Sequence, residues 1–323
     1  MNSPALFAVQ IQHISHLADD IIGLTLVHPD GEPLPPFAAG AHIDLQLPNG
    51  LLRQYSLCND PADRSCYRLG ILREPDSRGG SASAHEDLKA GEQVMISKPR
   101  NLFALVEAEH SVLLAGGIGI TPMLAMAQEL AAQGRSFELH YSARSRSRAA
   151  FLDVLEQSPW ADRVHLHLDD EGGSALQLDA VLEQHAGRQV YICGPAGFID
   201  FLDHAARAYG WAAEQIHIEQ FSAPELEPDS DAPEPGSFEI QIASSGQLIT
   251  VSAGQTAYQA LKAAGVEVCV SCEQGICGSC LTPLLEGEPD HRDHFQTDAE
   301  KAANTHFSPC CSRAHSARLV LDL

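Results

Sequence analysis

The chain has 323 residues, with 43 acidic and 20 basic side chains and a formal net charge of −23 at pH 7. Such an acidic chain is not expected to bind nucleic acid, because contacts with phosphates require clustered lysine and arginine. It has no apolar run of about 18 residues and no basic, apolar leader, so we expect neither a membrane span nor a signal peptide. We therefore expect a cytoplasmic monomer of two or three domains with no membrane partner.

Residues 1–103 contain short apolar segments separated by proline and glycine, which predicts antiparallel strands and a β-barrel domain. Two short motifs lie in this region, Arg53-Gln54-Tyr55-Ser56 at a predicted strand end and Ser77-Arg78-Gly79-Gly80-Ser81 before a predicted helix. Consecutive glycines that open a helix expose backbone N–H groups, which suits a phosphate. A plain glycine turn followed by a serine cap is the alternative.

From residue 104 to residue 221, buried strands alternate with helices, which predicts an α/β domain with a parallel sheet. The first strand runs into Gly116-Gly117-Ile118-Gly119-Ile120-Thr121-Pro122, in which Thr121 suits a helix N-cap and Pro122 a first helical residue. Such turns bind dinucleotides, although this one lacks the G-x-G-x-x-G spacing. A later strand end on the same edge is Cys193-Gly194-Pro195.

Two histidine pairs have spacings that could bind a metal ion. His165 and His167 alternate along a predicted strand, and His291 and His294 are three residues apart. We interpret both pairs as exposed polar positions, because the sequence shows no carboxylate or cysteine set near them.

Residues 222–236 contain four prolines and five acidic residues, which predicts an extended, self-repelling linker. The remaining residues, 237–323, form the last predicted domain and hold six of the nine cysteines. Clustered cysteines in a chain without a signal peptide point to a metal or cofactor site.

The spacing of these cysteines is that of a plant-type [2Fe–2S] cluster: Cys272, Cys277 and Cys280 follow C-x4-C-x2-C, and Cys310 comes 30 residues later. A zinc site is the alternative, but it would favour two C-x2-C pairs and only one is present. Cys311 adjoins Cys310, and neighbouring strand residues face opposite sides, so only one should reach the cluster. Cys269 is predicted to be a packing residue.

Taken in order, these motifs resemble the phthalate dioxygenase reductase family, and most closely its vanillate O-demethylase reductase branch. The matching segments are RQYSLCND, SRGGS, GGIGITP, YICGPAGF, SCEQGICGSC and CCSRA. The resemblance covers essentially the whole chain. It implies an N-terminal FMN-binding β-barrel, a central NAD(P)-binding α/β domain and a C-terminal α+β ferredoxin domain of the β-grasp fold.

The resemblance also implies a role for each matched residue. Arg53 would hold the flavin phosphate, Tyr55 would pack against the ring, Ser56 would hydrogen-bond near N5, and Phe221 would cover the other face. Ser56, Cys193 and Phe221 would lie at the reacting atoms. The FMN phosphate would be cradled by Gly79, Gly80 and Ser81. The nucleotide would be bound by Gly116, Gly117, Gly119, Thr121, Pro122, Arg144, Cys193, Gly194 and Pro195. Cys310 would be the fourth cluster ligand, and His291-Arg292-Asp293 would support the cluster.

The choice of nucleotide stays open at this point. The resemblance implies NADH, yet the run Arg144-Ser145-Arg146-Ser147-Arg148 lacks the acidic residue that many NADH-using relatives carry near the ribose. Arginine and serine there could accept the 2′-phosphate of NADPH.

The implied activity is electron transfer. A nicotinamide gives up two electrons as a hydride and a [2Fe–2S] cluster accepts one at a time, so a flavin is needed between them. The acceptor implied by the resemblance is a terminal oxygenase of the Rieske type that acts on an aromatic acid. One alternative is a general ferredoxin-type reductase for another acceptor, such as a cytochrome P450. Another is a redox-sensing module with degenerate cofactor sites, which the intact motifs disfavour.

Overall fold

The computed structural model describes residues 5–75, 77–171, 176–222 and 236–323. Contacts divide the chain into two compact units, one of residues 6–221 and one that contains residues 236–323. Apart from its two end residues, the predicted linker at 222–236 lies outside the described residues. Within the described ranges, no helix combines the length and the apolar character needed to cross a bilayer.

The first part of the larger unit is an antiparallel sheet of short strands with one helix. Its elements are β1 (Phe7–Ala18), β2 (Ile21–Val27), β3 (Ala41–Gln46), β4 (Leu52–Ser56), β5 (Tyr67–Leu72), α1 (Gly80–Glu86), β6 (Gln93–Ile96) and β7 (Arg100–Asn101). The strands are ordered β4-β3-β6-β1-β2-β5, with β7 paired to β3. Alternate side chains such as Val9, Ile11, Ile43 and Leu45 are fully buried and form its core.

The predicted barrel is not closed by hydrogen bonds. The edge strands β4 and β5 lie near each other, but no ladder joins them among the described residues. Strand β1 has two register shifts, between Ile11 and His13 and between His16 and Ala18, which increase the local twist. Alternating apolar residues predict antiparallel pairing, whereas the pairing of two edge strands depends on the curvature of the whole sheet.

The second part of this unit is a parallel sheet covered on both faces by helices, as predicted. Its elements are β8 (His110–Gly116), α2 (Ile120–Ala132), β9 (Phe137–Ala143), α3 (Leu152–Glu156), β10 (Val164–Leu168), α4 (Leu178–Leu182), β11 (Arg188–Cys193), α5 (Ala196–Ala208) and β12 (Ile216–Glu219). The order is β10-β9-β8-β11-β12. Helix α2 packs on one face, and α4 and α5 pack on the other. Burial on both faces explains why β8 is apolar along most of its length.

The second unit is a mixed sheet with helices, which confirms the predicted α+β ferredoxin fold. Its elements are β13 (Phe238–Ile242), β14 (Leu248–Val251), α6 (Ala257–Ala263), β15 (Thr282–Glu286), β16 (Pro289–Asp290), α7 (Asp298–Ala303), β17 (His306–Phe307), β18 (Arg313–Ala314) and β19 (Arg318–Leu321). The main sheet has the order β14-β13-β19-β15-β17, in which β13 and β19 are parallel. Thr256 and Gln259 form a capping box that fixes the start of α6.

Candidate functional site

The two glycine-rich motifs of the α/β part lie side by side at the carboxyl edge of its sheet. Strands β8 and β11 are parallel neighbours, with Ala115 opposite Cys193. A Cβ atom on Gly119 would lie 2.2 Å from the carbonyl oxygen of Cys193, and one on Gly194 would lie 3.1 Å from Cα of Gly116. Only glycine permits this approach, which brings the two predicted parts of the nucleotide site together.

The predicted N-cap of the following helix is wrong. Residues Gly117–Gly119 form a 3₁₀ turn, Gly119 is the N-cap, and α2 begins at Ile120. The 3₁₀ turn starts the helical winding before Thr121, whose hydroxyl donates to the carbonyl of Ile118 at 3.0 Å. Thr121 and Pro122 are both buried in the first turn of α2.

The basic segment after β9 lies at the same edge of the sheet. Gly116 of β8 pairs with Ser142 of β9, and Arg144, which directly follows β9, is exposed. The guanidinium of Arg146 forms an ion pair with Glu156, and Nη2 of Arg148 lies 3.7 Å from Oδ2 of Asp20. Because two of its three cations are paired with carboxylates, the segment offers less free positive charge to a 2′-phosphate than the sequence suggests.

In the β-rich part, Arg53 and the glycine pair meet. A Cβ atom on Gly80 would lie 2.7 Å from Nε of Arg53, so the arginine side chain covers this glycine closely. Gly79 has φ of +90°, a conformation that favours glycine. The hydroxyl of Ser81 accepts a hydrogen bond from the N–H of Glu74 at 3.0 Å. A guanidinium over a tight glycine loop fits the phosphate group of FMN.

The reacting end of the predicted flavin site joins both parts of this unit. The hydroxyl of Ser56, at the end of β4, donates to Oε2 of Glu219 at 3.3 Å. Glu219 ends β12, directly beside Cys193 at the end of β11. Burial raises the pKa of the Glu219 carboxyl to about 8, and it raises the pKa of the Cys193 thiol well above its ordinary value. A hydroxyl, a carboxyl and a thiol that favour their neutral forms therefore converge here.

Sequence reasoning missed Glu219. It lies two residues before Phe221, in the segment IEQFS. An acidic residue at the carboxyl end of an otherwise apolar strand is the pattern that could have indicated it, since such strand ends form ligand sites in parallel sheets.

The two aromatic residues predicted to contact the flavin differ in their surroundings. Tyr55 is half-buried on β4, and burial raises the pKa of its hydroxyl to about 12. Phe221 follows β12 and is 38% exposed. An exposed phenyl ring beside Glu219 is available to cover a planar group.

The four predicted cluster ligands lie together in the ferredoxin unit. The residues Cys272, Cys277, Cys280 and Cys310 are 9%, 6%, 4% and 4% exposed, and the sulfurs of Cys280 and Cys310 are 3.3 Å apart. The N–H of Gln274 points at the sulfur of Cys272 at 3.3 Å. Four shielded thiols with a backbone donor fit a [2Fe–2S] cluster.

The glycines of this loop are needed for its shape. Gly275 has φ of +76° and Gly278 has φ of +66°. A Cβ atom on Gly275 would lie 2.9 Å from Cα of Asp293, and one on Gly278 would lie 2.5 Å from the ring of Phe295. Asp293, 1% exposed, accepts from the N–H of Gln296 at 2.9 Å and packs under the loop. The predicted support by this segment therefore has a structural basis.

Strand alternation does not separate Cys310 from Cys311, because both lie in a turn between β17 and β18. Burial separates them instead: Cys310 is buried, whereas Cys311 is half-buried and its sulfur lies 3.9 Å from the carbonyl oxygen of Ser308. A Cβ atom on Gly275 would be 2.5 Å from that sulfur. Cys311 thus packs against the loop from outside. Cys269, also outside the four, is half-buried.

Comparisons with known proteins agree with this geometry. The family described as "2Fe-2S iron-sulfur cluster binding domain" matches residues 240–315, and the family described as "Oxidoreductase NAD-binding domain" matches residues 113–204. The chain is 52% identical over 322 residues to the vanillate O-demethylase oxidoreductase of Pseudomonas sp. (strain HR199 / DSM 7063), covering 98% of this chain and 100% of that one.

Two solved structures are similar over nearly the whole chain. Phthalate dioxygenase reductase, described as a modular structure for electron transfer from pyridine nucleotides to [2Fe–2S], matches with a TM-score of 0.77 and 40% identity, over 99% of this chain and 98% of that one. An intact type IV self-sufficient cytochrome P450 monooxygenase matches with a TM-score of 0.83 and 39% identity, over 98% of this chain and 41% of that one. The chain therefore belongs to the phthalate dioxygenase reductase family and is an NADH-dependent oxidoreductase with FMN and a [2Fe–2S] cluster.

Proposed function

We propose that this chain is the reductase component of an aromatic O-demethylase or related oxygenase system, and that its electron acceptor is a Rieske-type terminal oxygenase. The observation that supports this most strongly is the full-length match to a vanillate O-demethylase oxidoreductase. The proposed domains are residues 1–103 for FMN, 104–221 for NAD(P), 222–236 as a linker and 237–323 for the cluster.

The residues of the larger unit would bind and orient the two redox partners. FMN, when bound, takes two electrons from NADH and releases them singly. Arg53 and the Gly79–Gly80 turn would hold its phosphate, and Tyr55 and Phe221 would lie against its two faces. The hydroxyl of Ser56, held by Glu219 at 3.3 Å, would face the reacting edge of the ring.

The nucleotide would enter along the carboxyl edge of the parallel sheet. A Cβ atom on Gly117 would meet nothing within 4 Å, so the turn has open space beside this glycine for a diphosphate. Cys193, Gly194 and Pro195 would border the nicotinamide. The neutral thiol of Cys193 adds no charge beside it, because burial raises its pKa.

The proposal is tested with purified protein and a panel of terminal oxygenases. We expect NADH-dependent oxygen uptake and product formation with an aromatic-acid oxygenase, and with vanillate O-demethylase oxygenase first. Oxidation of NADH by ferricyanide checks that the reductase itself is intact. Rapid reduction of ferricyanide together with no turnover by any oxygenase of the panel would contradict the proposal that a Rieske-type oxygenase is the electron acceptor.

The alternative acceptor is a cytochrome P450. It is favoured by the similarity to an intact type IV self-sufficient cytochrome P450 monooxygenase, of which the chain covers 41%. A P450 in the same panel separates the two: carbon monoxide difference spectra would reveal its reduction by NADH. We expect slower reduction of the P450 than of the Rieske oxygenase.

We further propose that the protein is a cytoplasmic monomer. None of the nine cysteines, all of which lie in the described residues, forms a disulfide, as is usual in a reducing compartment. Light scattering on the purified holoprotein should give a mass near 34.7 kDa. A mass of twice that value would contradict the monomer.

A further inference from the structure

A cluster of histidines and one glutamate lies on the parallel sheet, outside the sites described above. Glu138 and His140 are on β9, and His165 and His167 are on the neighbouring edge strand β10. His165 is paired directly with His140 in the parallel register, and Glu138 lies two residues before His140. All four side chains therefore share one face of the sheet.

His140 is the centre of this cluster and is 7% exposed. Its Nδ1 lies 3.0 Å from Nε2 of His167, so one ring nitrogen is already engaged. Its Nε2 is buried without a hydrogen-bond partner. Oε2 of Glu138 lies 3.3 Å from that nitrogen, which is within ion-pair distance if the ring is protonated. A buried imidazole nitrogen facing a carboxylate is stabilised by a cation between them, which is either a proton on the ring or a metal ion.

His165 completes the arrangement. Its ring stacks on that of His140 with centroids 4.7 Å apart. One ligand atom each from Glu138, His140 and His165 can be chosen so that all three lie within 4.8 Å of one another. His165 is exposed, so one side of the cluster is open to solvent.

We propose that Glu138, His140 and His165 form a binding site for a divalent transition-metal ion, of which Zn²⁺ is the best match. Two imidazoles and a carboxylate are a donor set that Zn²⁺ accepts, with water in the fourth position. In tetrahedral zinc sites, ligand atoms lie about 3.3 Å apart, given metal–ligand bonds of roughly 2.0–2.2 Å. The distance from Nε2 of His140 to Oε2 of Glu138, 3.3 Å, already meets this requirement.

The neighbouring groups hold the ligands in place. Nε2 of His110 lies 3.4 Å and Nη1 of Arg188 lies 3.9 Å from Oε1 of Glu138, so these groups engage the oxygen that does not face His140. Nδ1 of His140 lies 3.0 Å from Nε2 of His167. In the tautomer in which Nδ1 donates to His167, the lone pair of Nε2 is left for a metal, and such outer partners are usual for histidine ligands. The positive charge of Arg188 lowers the affinity of the site for a cation. The Glu138 carboxylate and the solvent-open side at His165 favour cation binding.

The test uses the holoprotein with its flavin and cluster in place, so that the cluster cysteines do not compete for zinc. Isothermal titration with Zn²⁺ should show one ion bound by the wild type. His165→Asn and Glu138→Gln should bind it much more weakly, by more than the roughly 10- to 100-fold that loss of an outer partner costs. His167→Ala should weaken binding within that range. His16→Asn is the matched control, because His16 is exposed on a strand elsewhere, and it should bind as the wild type does.

Position is checked by anomalous diffraction above and below the zinc edge, which should place the ion between the three ligands. Zinc should also raise the unfolding temperature of the wild type and of His16→Asn but not of Glu138→Gln. Because His165 is exposed, its replacement tests the site without risk to the fold. Equal zinc affinity in the wild type and His165→Asn, or no binding by the wild type, would overturn the proposal.

Discussion

Glu219 places a carboxyl group beside the hydroxyl of Ser56 and next to the strand end that holds Cys193. Burial favours the neutral carboxyl and raises its pKa from the ordinary value of 4.5 to about 8. At neutral pH the group is therefore protonated in the folded protein and ionised in the unfolded one. The folded state binds the extra proton, so stability falls as the pH rises between these two values and is level above about 8.

Replacing Glu219 by Gln should remove this dependence, because the amide is neutral at every pH. Between pH 5 and pH 8, the window set by the raised pKa of about 8, the urea unfolding midpoint of the wild type should fall relative to that of Glu219→Gln. Glu214→Gln, at an exposed position on the preceding turn, is the control and should follow the wild type. Parallel pH curves for the wild type and Glu219→Gln would show that the carboxyl is not neutral in the fold.

Cys310 and Cys311 are adjacent, yet only Cys310 is fully buried and close to another cluster thiol, that of Cys280 at 3.3 Å. Ser at Cys272, Cys277, Cys280 or Cys310 should abolish or strongly perturb the EPR signal of the reduced cluster, because a ligand thiolate is lost. Cys311→Ser and Cys269→Ser should retain the signal. A normal EPR spectrum from Cys310→Ser would show that another cysteine is the fourth ligand.

At the scale of elements, the turn from β8 into α2 depends on Gly119. A methyl group there would meet the backbone carbonyl of Cys193 at 2.2 Å, and backbone cannot move aside as a side chain can. Gly119→Ala should destabilise the protein by about 1–3 kcal/mol and raise the KM for NADH, both measurable by urea unfolding and steady-state assay. Gly197→Ala, in α5 with no atom within 4 Å of the added methyl, should be neutral or slightly stabilising. Similar losses in both variants would contradict the role of the close approach.

The segment after β9 decides the choice of nucleotide. Arg146 is ion-paired with Glu156, so we expect NADH to be preferred and Arg146→Glu to change kcat/KM for NADH only slightly. A 2′-phosphate bound by Arg146 would instead make NADPH the better substrate, and the substitution would then cost about 1.5–3 kcal/mol for NADPH. Initial rates with both nucleotides distinguish these two outcomes. A wild-type preference for NADPH that is lost in Arg146→Glu would refute the expected preference for NADH.

At the scale of the molecule, the chain divides into two compact units. Each has its own apolar core: Val9, Ile43 and Leu113 lie in the larger unit, and Ile240 and Phe307 lie in the smaller one. Independent cores predict independent folding.

Removal of residues 237–323 should therefore leave a folded flavoprotein that reduces ferricyanide with NADH, because ferricyanide can take electrons from flavin. The same fragment should fail to reduce cytochrome c if that acceptor draws electrons from the cluster. Flavin content and circular dichroism check that the fragment is folded. Equal cytochrome c activity in the fragment and the full chain would refute the route through the cluster.

The sequence by itself predicted the fold classes, which the structure confirms, and the four candidate cluster ligands, which the structure brings together. Cysteine spacing is local, and a loop of nine residues from Cys272 to Cys280 must bring its thiols together whatever surrounds it. Glycine-rich strand ends identified the edge of the parallel sheet for the same reason, since the backbone conformation they permit is a local property.

Only the tertiary structure decided which distant side chains meet. Among the described strands, the edge strands β4 and β5 form no hydrogen-bond ladder with each other, because closure depends on the curvature of the whole sheet. The same holds for Glu219 beside Ser56, which are 163 positions apart. It also holds for Glu138 and His140 beside His165; the sequence indicated only the pair His165 and His167, as exposed polar positions without a carboxylate nearby. Parallel strands joined by a crossover connection bring residues that are far apart in the chain onto one face of the sheet. Their register depends on the packing of the whole domain and cannot be predicted from a local sequence pattern.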